Sequence, residues 1–247
     1  MHDNSDLSDG PAQPRFTPKQ LVRSDLDRAV GVQAGVVRAH VARMRRSRPD
    51  ATPAEIVTIL EKQFVAAVAT LGGAAGASAA VPGVGTGVAV AVNIAEVGSY
   101  LEAATLFTLA VADVHGVRVD EIERRRTLLM AVLLGSNGAA TVERIAGRTG
   151  KYWAKQLVKS VPMTAVDAVN KVLGPRFVTK FGTQQGILVL GREVPFGIGA
   201  AIGAGGNAAL AVVANKGARR VFGPAPEQWA AGDGSDEPDD RAAPEDE

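Results

Sequence analysis

Asp113 and His115 stand two residues apart, and a carboxylate beside an imidazole is the beginning of a general-base pair. Nothing in the spacing adds a nucleophile. Ser78 lies in GASAA and Ser136 in GSNG, and neither occupies the G-x-S-x-G turn that presents a serine for acyl transfer. Both serines suit helix packing or a turn. His115 suits a helix end, where a positive ring stabilises the C-terminal dipole. Gly83-x-Gly85-x-Gly87 lacks the spacing and the following acid of a dinucleotide loop, and no Lys-Ser/Thr pair makes it a phosphate loop. The absence of Cys removes disulfides, thiolate metal ligands and thiol nucleophiles. His2, His40 and His115 leave little for a His-based metal site. The expectation is a non-enzymatic protein with no metal and no cofactor. A hydrolase with an unrecognised site is the remote alternative, and it would lose activity on changing Asp113 or His115.

A basic pattern is more pointed. Arg144, Arg148, Lys151, Lys155 and Lys159 are spaced four, three, four and four, which on one helix places them within about 80° of one another. Trp153, Leu157 and Val161 fall on the opposite side. Such a helix suits the surface of anionic lipid, where each Lys or Arg contributes about 1 kcal/mol. Gly147 and Gly150 oppose it, each at about 1 kcal/mol of helix propensity. The competing reading is a solvated charged face over a buried Trp153. Nucleic acid is not expected as a partner, because the cations are dispersed and aromatic residues make up only 4% of the chain.

The elements that must position these residues are helical, and the fold class expected is all-α: a multi-helix bundle around Gly/Ala-rich helices. Thr17-Pro18-Lys19-Gln20 and Thr52-Pro53-Ala54-Glu55 repeat one device, a Thr cap, Pro in the first turn and Gln or Glu three residues after the cap. The first helix is expected to run to about Arg46. The second leads into a stretch with no formal charge between Lys62 and Glu96, which Pro82-Gly83 divides into a hairpin. The second arm runs to Val114 and closes at His115-Gly116. Asp120 is expected to cap Glu121–Leu134, which Gly135 ends. Thr164 opens a short helix that stops at Leu173 before Gly174-Pro175, and Phe177–Leu190 has room for a short extended piece. A last uncharged run covers Val194 to Asn215. One helical domain, residues 16–223, lies between disordered tails at 1–15 and 224–247.

Both uncharged runs are long enough to cross about 30 Å of hydrocarbon. They are also rich in small residues, with 42 Ala and 28 Gly in the chain, and so sit near the threshold for insertion. Gly72-x-x-x-Gly76 and Gly199-x-x-x-Gly203 allow close helix approach, within a bundle or between copies in a homo-oligomer. On a continuous helix Asn93, Glu96 and Tyr100 share a face, and Asn207 is the polar residue of the last run. A carboxylate in such surroundings is costly unless paired, so Glu96 is expected to find a partner on another helix, such as a Lys or Arg. Two readings stay open. In one, the runs insert from the cytoplasmic side of a bacterial membrane, in keeping with the lack of a signal peptide in the first thirty residues. In the other, they are the core of a soluble cytoplasmic interaction module.

The stretch GASAAVPGVGTGVAVAVNIAEVGSYLEAATLFTLAVADVHG resembles the central signature of the bacterial EcsC family, in which a small-residue helix leads through Pro-Gly to an apolar helix with one acid and a terminal aromatic-Gly. The segment from VLGPRFVTKFG to the closing RRVFG is similar to the end of that family, and the likeness covers roughly Thr52 to Gly223 in an actinobacterial-type version. Glu96 stands where the family is expected to carry Asp, and His115 where it carries Tyr. The resemblance implies a helical, membrane-linked protein whose family is named for a gene beside an ABC transporter operon. It supplies no catalytic motif.

The formal charge of +1 hides a division. From Glu227 to the end nine acids stand against Arg241, so the remainder of the chain is strongly cationic. An acidic segment beside a cationic body competes with anionic surfaces for it. Removing residues 227–247 is therefore expected to strengthen binding to anionic vesicles at low salt, as read by co-flotation. Unchanged binding would exclude masking by the tail.

Overall fold

The computed structural model describes residues 18–31, 34–79, 86–146, 152–192 and 198–229, and among the described residues there are nine helices and no strand. They are α1 (Pro18–Val30), α2 (Ala34–Ser47), α3 (Pro53–Ala79), α4 (Thr86–Val114), α5 (Ile122–Leu134), α6 (Ser136–Ile145), α7 (Ala154–Lys159), α8 (Met163–Arg192) and α9 (Ile198–Phe222). The fold is all-α. The expected tail at 1–15, and Pro82 and Gly83 of the expected hairpin turn, lie outside the described residues.

Local signals set several ends. Thr52 and Glu55 form the capping box: each backbone N–H is met by the other's side chain, at 2.8 Å from Thr52 N–H to Glu55 Oε2 and 3.3 Å from Glu55 N–H to Thr52 Oγ1. Those donors hold the Glu55 carboxyl below its usual range. Gly116, at φ 65°, closes α4 as expected, with the Val117 N–H returning to the Ala112 carbonyl at 2.8 Å. Gly135, at φ 62°, ends α5 and starts α6.

Four expectations need correction. The single helix up to Arg46 is two, α1 and α2, turned at Gly31, whose N–H bonds the Arg28 carbonyl at 3.1 Å. One helix of that length would reach about 45 Å; the turn instead lets α1 pack on α4 and α8 while α2 packs on α4. The N-cap of α5 is Glu121, without a side-chain bond, and not Asp120. The stop at Gly174-Pro175 does not occur, and no extended piece follows it, because α8 runs straight through Pro175. An internal proline costs about 3 kcal/mol. Against it stand Val166, Val169, Leu173, Phe177 and Phe181, one buried stripe at helical spacing that only a continuous helix keeps on the core. Finally, the C-terminal segment is not free from residue 224. Trp229 packs against the core, donates from Nε1 to the Ala51 carbonyl at 3.1 Å, and lies under the Arg45 guanidinium at 4.1 Å.

The few aromatics concentrate in one column. Phe64 stacks on Phe107 at 4.8 Å between ring centres, and Tyr100 leans on Phe64 and on Phe181, which stacks on Phe177. This column ties α3, α4 and α8 together. Beside it α3 and α9 run antiparallel, as the pairs Gly72–Gly203, Val68–Asn207 and Glu61–Arg219 require. Their backbones approach until a Cβ on Gly72 would overlap the Gly203 carbonyl oxygen and lie 2.7 Å from Asn207 Nδ2. Gly217 is equally confined, against the Val132 carbonyl of α5. A Cβ at Gly205, on the outer side of α9, would meet nothing within 4 Å. Gly72→Ala should therefore lower stability by about 1–3 kcal/mol, whereas Gly205→Ala should raise it by about 0.5–1 kcal/mol through helix propensity. Urea unfolding midpoints of the two variants check the opposite signs.

Candidate functional site

The polar residues within the apolar helices form a ladder along α9. Asn207 is fully buried, and its Nδ2 donates to Glu96 Oε1 of α4 at 2.7 Å and to the Val68 carbonyl of α3 at 3.2 Å. Three turns further on, Arg219 holds the buried carboxylate of Glu61 with two parallel bonds, 2.6 Å from Nε and 2.5 Å from Nη2. Asn215 Nδ2 lies 3.4 Å from the Glu61 carbonyl. A bidentate guanidinium is the strongest partner a carboxylate has, and Glu61 raises the Arg219 pKa further. Glu96 does meet a partner from another helix, and the donor described is the Asn207 amide. The cation of the same helix serves Glu61 instead.

Tyr100 shares the buried face with Glu96 as expected, and burial pushes its phenol well above the ordinary range. Asn93 is on α4, but its side chain lies outside the described residues. Gly72 and Gly203 meet within one chain, Gly76 is buried on α3, and the surroundings of Gly199 are not among those described. A third buried acid was not anticipated. Asp25 of α1 lies 3.6 Å from where a Cβ of Gly98 would sit, and Arg28 approaches its Oδ1 at 3.6 Å. Burial raises the Asp25 pKa, and Arg28 lowers it less.

The basic stripe is not one helix. Arg144 is exposed at the end of α6, while Lys155 and Lys159 are exposed on α7. Between them Ala146 ends α6 and Tyr152 takes φ 64°, so the fixed 100° step per residue is lost. Arg148 and Lys151 lie outside the described residues. The apolar side is as expected: Trp153, Leu157 and Val161 are all buried. Arg124 of α5, itself buried, donates to the Leu157 and Val161 carbonyls and so fixes α7 from below.

His115 is occupied by the backbone. Its Nδ1 lies 2.8 Å from the Val111 carbonyl and its Nε2 3.4 Å from that of Gly223, while its ring packs on Phe222. This is the geometry of a helix-end brace. Among the described residues no group of three His, Asp or Glu is placed to hold a metal ion.

Two surface features were missed. Asp27, Arg126, Glu123 and Asn170 form a bonded chain between α1, α5 and α8, with Arg126 at 2.8 and 2.9 Å from Glu123 and 2.9 Å from Asp27. The Glu123-x-x-Arg126 spacing was a readable sign of half of it. The other is α2, whose residues Arg38, Arg43 and Arg46 are exposed over buried Val37, Val41 and Met44, with no acid anywhere in the helix. No family model, curated protein or solved structure matches the chain.

Asn207→Ala would leave the Glu96 carboxylate without this donor and should cost about 2–4 kcal/mol. The loss should be smaller in a Glu96→Gln background. A double-mutant cycle by urea unfolding measures the difference, and equal losses in both backgrounds would dissolve the coupling.

Proposed function

We propose that the chain is a non-enzymatic protein that associates with the cytoplasmic face of a bacterial membrane through the uncharged end of the α3–α9 pair. One observation carries the reading. Beyond Lys62 the outward side of α3 consists of Gln63, Ala66, Ala67, Thr70, Ala74 and Ala77, and the outward side of α9 exposes Ala201, Gly205, Ala209, Val212 and Val213. No formal charge interrupts either surface. Because the helices are antiparallel, Lys62 and Lys216 stand near the same level and close the uncharged arm with a basic collar. From Gln63 to Ala79 the arm is about 25 Å long, enough to enter one leaflet and more but short of a full crossing.

The stretch Pro53–Ala77 is long and apolar enough to cross a membrane by length and composition, and only a third of its most apolar part is buried. The collar lysines then sit at headgroup level, where long cationic side chains are favoured. Lys155 and Lys159 add cations for anionic lipid. The EcsC-like pattern is in keeping with a membrane-linked role, beside an ABC transporter or another membrane protein complex.

A second reading rests on α4. Ala95–Val114 passes the same length and composition test, yet most of it is buried among other helices. A soluble interaction module has such a core helix.

Flotation with anionic liposomes at low salt separates the two. The chain is expected to float, and Ala74→Glu, on an exposed side of α3, should reduce binding on the order of a hundredfold with an unchanged unfolding midpoint. Protein that stays at the bottom of the gradient, monodisperse without detergent, would leave the soluble module standing.

A further inference from the structure

The arginines of α2 and the path of the C-terminal segment meet at one place. α2 carries Arg38, Arg43, Arg45 and Arg46, Arg48 follows it, and no Asp or Glu occurs from Ala34 to Pro49. Arg38, Arg43, Arg46 and Arg48 are exposed. Among the described residues no carboxylate lies within ion-pair distance of Arg43 or Arg46. The core residues Val37, Val41 and Met44 occupy the other side, so Ala39, Arg43 and Arg46 project away from the bundle. Such a density of one sign on a single short helix is self-repelling unless an anionic partner covers it.

The described chain ends on this same helix. Trp229 is the last described residue, and it is held twice: its Nε1 bonds the Ala51 carbonyl just after α2, and its ring carries the Arg45 guanidinium at 4.1 Å. The eighteen residues that follow contain eight carboxylates against Arg241 alone. They start, therefore, at the C-terminal end of an arginine face about 21 Å long. An extended segment of that length reaches up to about 60 Å, so the whole face is within its range.

We propose that residues 230–247 dock on the outward face of α2, with Trp229 as the anchor and Arg43 and Arg46 as the principal cations engaged. The arginine face is then an interaction surface for acidic chains, and its first occupant is the protein's own terminus. Tethering raises the local concentration of the acidic segment into the millimolar range, so individually weak exposed ion pairs suffice. The contact does not depend on the membrane reading.

The complete lack of cysteine supplies the test. In the full-length chain, Ala39→Cys on the exposed side of α2 and Ser235→Cys in the acidic segment form the sole thiol pair. Under mild oxidant the intrachain disulfide should form at least about tenfold faster in 10 mM than in 500 mM salt, since the screening length falls from about 30 Å to a few Å. Arg43→Glu together with Arg46→Glu should slow it about as much at low salt, with an unchanged thermal midpoint. So should replacing the acids beyond residue 232 by Asn and Gln. A rate indifferent to salt and to both sets of substitutions would overturn the proposal. A rate that responds to salt and to the acids but not to Arg43 and Arg46 would place the segment elsewhere and overturn it equally. No lipid enters the experiment, so its failure is distinct from a failure to float.

Discussion

Two backbones meet at Gly72 and Gly203, closer than any side chain allows, and the rest of the bundle is arranged around that approach. Small residues bury little apolar surface each, so a pair of Ala/Gly helices gains less from the hydrophobic effect than a Leu-rich pair. Close contact compensates through dispersion along the whole interface. It also brings the Val68 carbonyl of α3 within reach of the buried Asn207 NH2 group. The amide then serves Glu96 of α4, and one side chain joins three helices. About 18 Å along α9 the bidentate Arg219–Glu61 pair repeats the solution at the solvent end. Register between α3 and α9 is thus specified twice by polar contacts that a slipped pairing would leave unsatisfied.

Local chemistry was legible wherever it is decided within a few residues. Thr52 to Glu55, Gly116 and Gly135 behave as their types demand because a cap or a positive φ needs no distant partner. Pro175 was misleading for the opposite reason. Its local cost is real, but the stripe from Val166 to Phe181 is rewarded by packing on α5 and by Phe181 against Tyr100 of α4, and periodicity that crosses a proline outweighed the proline itself. The turn at Gly31 follows the same logic, since a helix lengthened past it would leave the bundle.

The site residues divide likewise. That Glu96 and Asn207 are buried polar groups could be read from the uncharged runs around them, whereas their bond to each other depends on the register of α4 against α9, helices a hundred residues apart. The five-membered basic stripe assumed an unbroken helix, and a break between Ile145 and Ala154 removes the assumption while leaving the burial of Trp153 and Leu157 intact. Side chains with core partners were predictable because burial tolerates a local change of direction. A row of surface cations is not, because its alignment is the whole of its meaning.

Alanine on the outer side of α3 has a consequence for the kind of surface it makes. A Leu or Phe face of the same length would be driven out of water strongly enough to aggregate, and a charged one would forbid contact with hydrocarbon. Ala and Thr are near indifference in both solvents, so an arm built from them can be held in either by small additional terms. In water those terms are the intramolecular bonds of Asn207 and Arg219, which keep the pair rigid without lipid. At an anionic surface they are the collar of Lys62 and Lys216, each worth about 1 kcal/mol. On the membrane reading proposed above, a nearly neutral arm above a cationic collar would bind reversibly, with salt as the controlling variable. That is the behaviour expected where any acidic segment of the same chain competes for cations on the body.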